Sequence, residues 1–412
     1  MRIAKRENVW LRPGMSGGRP DQVAEILADV RERGDAAVLD YTERFDKAQL
    51  SPEQLRVDAR ELDAALGVLE PDVLMGLRTA IANVRQVAAA QLRDAVSVEL
   101  PEGQRIELSE VPVRRAGVYV PGGRAPYPST VVMACVTARV SGVEQIAVCA
   151  PPGPGGRAHP AVLAACVLCE VTEVYRMGGA QAIAALAYGT DSVDPVDLIV
   201  GPGNTWVTEA KRQVFGQVGI DGLAGPSELL VVASSGADPE LIALDLLAQA
   251  EHGEDSPLVL ITADEVLRDA VIAAVERLAP DRPSATDAAL EAVLVDELAD
   301  ALHFADQIAP EHLELVGEEA EQLADRVTRA GCVFVGAGAG TAFGDYVAGS
   351  NHVLPTGGAA RFQSALSPAT FRRRMARVSL PGEAPARLAP AGAALARAEG
   401  FPVHAESMER RA

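Results

Sequence analysis

Between residues 20 and 95 apolar positions recur at helical spacing. In DQVAEILADVRERGDAAVLDYTERFD, Val23, Ile26, Leu27 and Val30 fall on one face. Gly34 suits a helix end, and Asp35 suits the cap of the next helix. ARELDAALGVLEPDVLMGLRTAIANVRQVAAAQ behaves similarly. From about residue 110 the period changes. VPVRRAGVYVPGG, EQIAVCAPPG, VTEVYRMGGA and VDLIVGPGN each carry a short apolar run into a Gly or Pro break, with Ala-rich helical stretches between them. Strands alternating with helices predict a parallel α/β sheet over 113–227. The theme resumes in LLVVASSGADP, PLVLITAD and GCVFVGAGAG, which predicts a second α/β region over 228–365. The helices of 15–112 are its expected partner, making that domain discontinuous, and 1–14 reads as a separate N-terminal segment. Residues 366–412 are rich in Ala, Arg and Pro and predict a helical tail, with LAPAGAALARAEG closed by Gly400 and Pro402. So few large apolar side chains make no core, so the tail is expected to lie on another surface or to reach a partner subunit.

The length of 412 residues suits two to three domains at ~150 residues each. A content of 48% hydrophobic and 23% charged residues excludes a disordered chain. Only 4% are aromatic, so the cores must be built from Ala, Val and Leu. Thirty-seven Lys and Arg against 57 Asp and Glu give a net charge of −20, which disfavours nucleic acid as a partner. No run reaches the ~18 apolar residues of a membrane span. MRIAKRENVW lacks the apolar core of a secretory signal. No membrane association and a cytoplasmic location are therefore expected. Cys135, Cys149, Cys166, Cys169 and Cys332 are odd in number and sit in apolar segments, which reads as reduced thiols. Cys166 and Cys169 lack the second pair of a zinc site and read as buried helix packing.

Candidate chemistry is scattered. CVFVGAGAGTAFG fails the dinucleotide fingerprint, because the third glycine position is Thr341 or Phe343. It reads as a strand-to-loop turn. Gly201-Pro202-Gly203-Asn204 follows a strand and opens a helix, where backbone N–H groups face an anion readily. Asn204 is there either a helix cap or a ligand contact. Gln181 follows a Gly-Gly turn at a helix start, and Tyr119 ends a strand beside a Pro-Gly-Gly loop. Of six histidines, His159 reads as an exposed loop residue and His303 as structural. Gln249 and His252 are three apart on one helical face, so they are metal ligands or a hydrogen-bonded cap. Glu311 and His312 are adjacent proton acceptors of different basicity, or a solvated surface pair. Asp345 and His352 share a loop rich in Gly, Ser and Asn, a common site setting. Glu399 and His404 lie five apart in the otherwise bland tail.

The segments GVYVPGGRAPYPSTVVM, MGGAQAIAALAYGT, DLIVGPGNTWVTEAKR, AGPSELL, QAEHGEDS, IAPEHLEL, FGDYVAGSNHVLPTGGAARF and EGFPVH resemble the histidinol dehydrogenase family, in the family's order and over nearly the whole chain. VRERGDAAVLDYTERFD resembles its N-terminal helices. The segment around 381–395 is the loosest match, and Val136-Thr137 stands where many relatives carry Ile-Pro.

The resemblance implies oxidation of L-histidinol to L-histidine through histidinaldehyde, with two NAD⁺ and one zinc ion per site. It implies Gln249, His252, Asp345 and His404 as metal ligands, a chemically ordinary set apart from the weaker Gln. Glu311 and His312 match the catalytic proton acceptors. His312 would deprotonate the hydroxyl, and Glu311 would activate the water that hydrates the aldehyde. Ser227 and Glu399 match substrate contacts, alongside His312 and the metal ligands Gln249, His252, Asp345 and His404. Tyr119, Gln181 and Asn204 match NAD contacts, and His352 a position near the substrate. The implied fold is two incomplete Rossmann-like parallel-sheet domains, a helical N-terminal region and an extended C-terminal tail. The implied assembly is a domain-swapped homodimer whose tail completes the neighbour's site. From the residues alone, a zinc hydrolase using Glu311 and a two-domain binding protein are the competing readings.

Overall fold

The structure, a computed structural model, describes residues 2–6, 19–122, 125–153, 155–285 and 287–412. The expected 1–14 segment lies outside them except for strand β1 (Arg2–Arg6). Helices α1 (Pro20–Arg33), α2 (Asp35–Asp46) and α3 (Pro71–Ala90) follow. Pro20 starts α1, and Gly34 stops it at φ 57° with its N–H on the Val30 carbonyl. Strands β2 (Val96–Glu99) and β3 (Arg105–Pro112) lead into a βα alternation. It comprises β4 (Arg115–Tyr119), α4 (Pro128–Val140), β5 (Gln145–Ala150), α5 (Pro160–Leu168), β6 (Glu173–Arg176), α6 (Gly179–Tyr188), β7 (Leu198–Val200), α7 (Thr205–Val214) and β8 (Gly219–Ile220). These strands form a five-stranded parallel sheet in the order β6-β5-β4-β7-β8. Their near-continuous apolar runs fit a sheet covered on both faces.

The crossover helices α4 and α6 lie on its faces, and the helices of 20–90 pack outside them, α3 on α4 and α1 on α6 and α7. Leu77, Ile81 and Val84 of α3 share one core with Ala116, Val118, Ile146 and Val148. Val23, Ile26, Leu27 and Val30 of α1 share the other with Ala147, Cys149 and Ile199. The expected pairing of these helices with 228–365 is therefore corrected. An apolar stripe states that a face is buried, not against what, and here the helices join the sheet that follows them in sequence. Burial of each large aliphatic side chain contributes roughly 1.5–3 kcal/mol.

The second sheet uses β9 (Leu229–Ala233), β10 (Leu258–Thr262), β11 (Ala289–Leu294), β12 (His312–Val316) and β13 (Cys332–Val335). With β1 at one edge its order is β1-β11-β10-β9-β12-β13, all parallel. Helices α8 (Pro239–Ala250) and α9 (Glu265–Leu278) cover one face, and α10 (Ala301–Ile308) the other. Helix α11 (Thr341–Tyr346) packs on α8.

The tail is not purely helical, which corrects a second expectation. Strand β14 (Arg372–Ser379) pairs antiparallel with β3, and β3 with β2, in a three-stranded sheet. The β-branched and long side chains of RMARVS suit a strand, but the sequence lacks the apolar alternation that announces one. Helices α12 (Ala384–Ala398) and α13 (Pro402–Glu409) then pack on each other through a small apolar cluster of Ala393, Ala396, Ala405 and Met408. Among the described residues no helix is long and apolar enough to cross a membrane.

Candidate active site

The two parallel sheets meet a common cavity with opposite ends. Tyr119 and Gly201 lie at the C-terminal ends of β4 and β7, the usual ligand-binding edge of such sheets. Ser227, Ser256 and His312 lie just before or at the start of β9, β10 and β12. The cavity between them measures about 1040 Å³, large for a single metabolite and roomy enough for metabolite plus cofactor.

On the six-stranded side Glu311 and His312 are buried. The Ser227 hydroxyl donates to Glu311 Oε2 at 2.5 Å, and the Glu228 N–H donates to the same oxygen at 2.9 Å. The Gln249 amide donates in turn to Ser227 Oγ at 2.7 Å. Burial pushes the Glu311 carboxyl up to about 8, against the pull of those two hydrogen bonds. His312 Nδ1 lies 3.0 Å from the Glu228 carbonyl oxygen. A carbonyl only accepts, so Nδ1 carries the proton and Nε2 keeps a lone pair. Burial lowers the His312 pKa, opposed by Asp345 and by that carbonyl, so the imidazole is a neutral acceptor.

Asp345 and His252 line the same cavity. Burial raises Asp345 to about 6, with His312 opposing and Glu311 adding to the rise. Burial also lowers His252, with His312 as the next cause. His252 lies beyond the end of α8 at Ala250, so it and Gln249 flank the helix terminus rather than share a continuing helix. His352 Nδ1 lies 2.9 Å from the Asp345 carbonyl oxygen, and Thr130 Oγ1 lies 3.2 Å from its Nε2. Burial drives His352 down to about 4. It is a neutral clip between Asp345 and α4, not a proton acceptor.

On the five-stranded side Asn204 resolves one open alternative. Its Oδ1 accepts the Trp206 and Val207 N–H groups, both at 3.1 Å, so it caps α7 while also lining the cavity. A Cβ on Gly201, at φ 116°, would overlap the Tyr119 carbonyl oxygen, so only glycine allows this turn to touch β4. The Lys211 ammonium pairs with Asp221, and both hold Gly201 through its carbonyl and N–H. The Tyr119 hydroxyl accepts the Gly179 N–H at 3.1 Å. Gln181 does not line the cavity; it is 1% exposed, and neither end of its amide has a partner.

Glu399 and His404 are not brought to this cavity. Both are exposed on the α12–α13 hairpin. Among the described residues no group of three or more His, Cys, Asp or Glu side chains is arranged to hold a metal. The sequence reading missed Glu228 and Thr130. Glu228 receives the Glu311 and Gly357 N–H groups at 3.2 and 3.0 Å, and burial followed by Glu311 raises it to about 7. An acid directly before the apolar run LLVVA was the available signal. Thr130 offered none.

The profile of the histidinol dehydrogenase family matches residues 17–412. The chain is 44% identical over 397 residues to the histidinol dehydrogenase of Gluconobacter oxydans, spanning 95% of this chain and 92% of that one. It is 47% identical over 402 residues to that of Rhodospirillum rubrum, again spanning 95% and 92%. The crystal structure of histidinol dehydrogenase from Elizabethkingia anophelis superposes with a TM-score of 0.92 at 32% identity, covering 100% of this chain and 98% of the other. With the shared cavity and this agreement along the whole length, the chain belongs to the histidinol dehydrogenase family.

Proposed function

We propose that this chain oxidises L-histidinol to L-histidine through bound L-histidinaldehyde in the cytoplasm. Enzymes of the family are NAD-dependent, zinc-containing oxidoreductases of histidine biosynthesis. The residues present fit both groups. Tyr119 and the 201–204 turn, which ends in Asn204, line the cavity at the C-terminal ends of β4 and β7 and would hold NAD. Gln181, buried outside that lining with both ends of its amide unpartnered, would join them only by turning its side chain toward the cavity. Asp345 is a carboxylate that burial has left short of a cation, and His252 stands on the same cavity wall. The NH₂ of Gln249 is committed to Ser227, so its carbonyl oxygen is the ligating end. Gln249, His252, Asp345 and His404 would hold zinc, an ordinary donor set apart from the weaker, neutral Gln.

Zinc held by these residues would supply a cationic anchor for the amino alcohol, and NAD held beside it would supply the hydride acceptor for the two oxidations. His312 Nε2 takes the hydroxyl proton in the first step. Glu311, close to neutral-pH basicity, takes a proton from the water that hydrates the aldehyde, and His312 serves again in the second oxidation. Ser227 bridges Glu311 and Gln249, and with Glu399 would contact the substrate.

His404 and Glu399 would come from a second copy. The tail sheet and hairpin expose Val378 (60%), Leu395 (67%) and Val403 (72%), which an isolated chain leaves in water. Exchange of tails in a homodimer would cover them and deliver the fourth ligand. The observation that carries the reading is the Ser227–Glu311–His312 network beside His252 and Asp345. The test is stoichiometry: purified protein with excess NAD⁺ yields two NADH per histidinol, with no aldehyde released. One NADH per histidinol, or none, sinks it.

A further inference from the structure

Three separate elements bring the proposed ligands and base together: α8 with Gln249, β12 with His312 and α11 with Asp345. Two acids with no part in the chemistry lie where these elements meet. Glu314 is two residues along β12 from His312, hence on the same face of the strand, and is 1% exposed. Asp245 is one helical turn before Gln249, hence on the same face of α8. The two carboxyls lie within interaction range of each other, and Glu314 Oε2 is buried with no hydrogen-bond partner. A Cβ on Gly340 would come within 2.7 Å of Asp245 Oδ1, so the same carboxyl packs on the residue that opens α11. Two ionised carboxylates repel, so a hydrogen bond between them needs one proton. Burial raises both carboxyls; Asp245 adds to the rise of Glu314, to about 9, whereas the contact with Glu314 opposes the rise of Asp245, so the proton rests on Glu314 at neutral pH.

We propose that Asp245 and Glu314 are positioning residues that share one proton and tie α8, β12 and the entry to α11, setting the convergence of Gln249, His312 and Asp345. This rests on the proposed zinc site. A buried polar pair of this kind adds little net stability over apolar side chains of similar volume. Its effect is geometric, and a displacement of about 1 Å at a catalytic centre costs about 100-fold in rate.

The test uses the full-length zinc-loaded protein. Zinc loss to a competing chelator, kcat, KM for NAD⁺ and the melting temperature of the zinc-free chain are measured. Glu314→Gln places an amide donor against Asp245 and keeps the bond, so zinc retention and kcat stay within about threefold of the unmutated protein. Glu314→Asp keeps the chemistry but shortens the reach. Asp245→Val with Glu314→Met removes both polar ends. In both of these, zinc is lost at least about tenfold more readily and kcat falls at least about tenfold, while KM for NAD⁺ and zinc-free melting hold. Zinc retention and kcat within about twofold in Glu314→Asp overturn the proposal, as does a loss in Glu314→Gln equal to that in Glu314→Asp. Should the double variant not fold, the Asp and Gln variants decide alone. An unmutated chain that binds no zinc overturns the metal site itself, and this control is read before any variant.

Discussion

In the five-stranded sheet, buried cations meet carboxylates supplied by the chain itself. Arg115 clasps Glu173, Lys211 pairs with Asp221, and Arg176 reaches Glu61 at 2.5 Å. Around the N-terminal edge of the six-stranded sheet, Glu228, Glu311, Glu314, Asp245 and Asp345 are gathered with no Lys or Arg ion pair to any of them among the described residues. Burial raises the pKa of all five, whereas Glu173 is held below its ordinary value. One half pairs its buried cations internally, with Asp46 at the end of α2, raised to about 6 by burial, as an exception. The other is a buried acidic cluster whose carboxyls hold protons more tightly than usual, because burial raises them and no Lys or Arg among the described residues pairs with them. That difference is the kind that separates a scaffold from a site: strongly shifted carboxyls lining or backing one cavity mark the candidate site.

The largest effect should come from denying the acidic half its cation. His404→Ala removes a proposed ligand that is exposed and bonds to nothing in the core, so folding of both sheets is untouched. Zinc affinity should fall at least about 100-fold, more than loss of a mere outer hydrogen-bond partner, with turnover following it. Metal analysis after dialysis, alongside circular dichroism, checks this. Unchanged zinc content would mean that the cluster finds its ligands within one chain.

A smaller effect tests the internally paired half. Arg115→Met strands Glu173 beside Tyr175, whose hydroxyl donates to it at 2.7 Å, and should cost about 3–5 kcal/mol in chemical denaturation. The pH dependence gives the sign. Burial raises the Glu173 carboxyl, but Arg115 and then Tyr175 outweigh it and depress its pKa. A depressed folded pKa contributes stability above the unfolded value of 4.5, lost as pH falls through the folded value. The deficit of the variant should therefore be full at pH 7 and shrink on acidification below 4.5, where its stranded carboxyl also becomes neutral. A pH-independent deficit would show that lost packing, not charge pairing, is what Arg115 supplies.

Much of this was legible in sequence, for uneven physical reasons. The βα alternation of 113–227 announced itself, because parallel strands covered on both faces read as short apolar runs between Gly and Pro breaks. Glu311, His312, Asp345 and Ser227 stood out by motif and do meet. Strand β12 did not stand out: IAPEHLEL alternates polar and apolar residues because one face carries His312 to the cavity and Glu314 against Asp245 of α8. The partner of α1–α3 was misread because periodicity fixes a buried face and not its contact. Strand β14, with arginines at Arg372, Arg373, Arg374 and Arg377, looked like neither strand nor core. The clip formed by Thr130 and His352 joins residues 222 positions apart, beyond what spacing reveals.

Asn204 offers the smallest test and the cleanest separation of scaffold from site within one side chain. Its Oδ1 satisfies two N–H groups at the start of α7, a scaffold task, while its NH₂ is the end left for the cavity. Asn204→Ala removes both ends and should cost about 1 kcal/mol of stability and raise KM for NAD⁺. Asn204→Asp keeps the capping oxygen and replaces the donor with a second acceptor. Its melting temperature should match the parent, since an acid at a helix N-terminus is favourable there. Its KM for NAD⁺ should rise at least as much as that of the alanine variant. If Asp restores both stability and KM, the side chain is only a cap, and the GPGN turn serves NAD through its backbone alone.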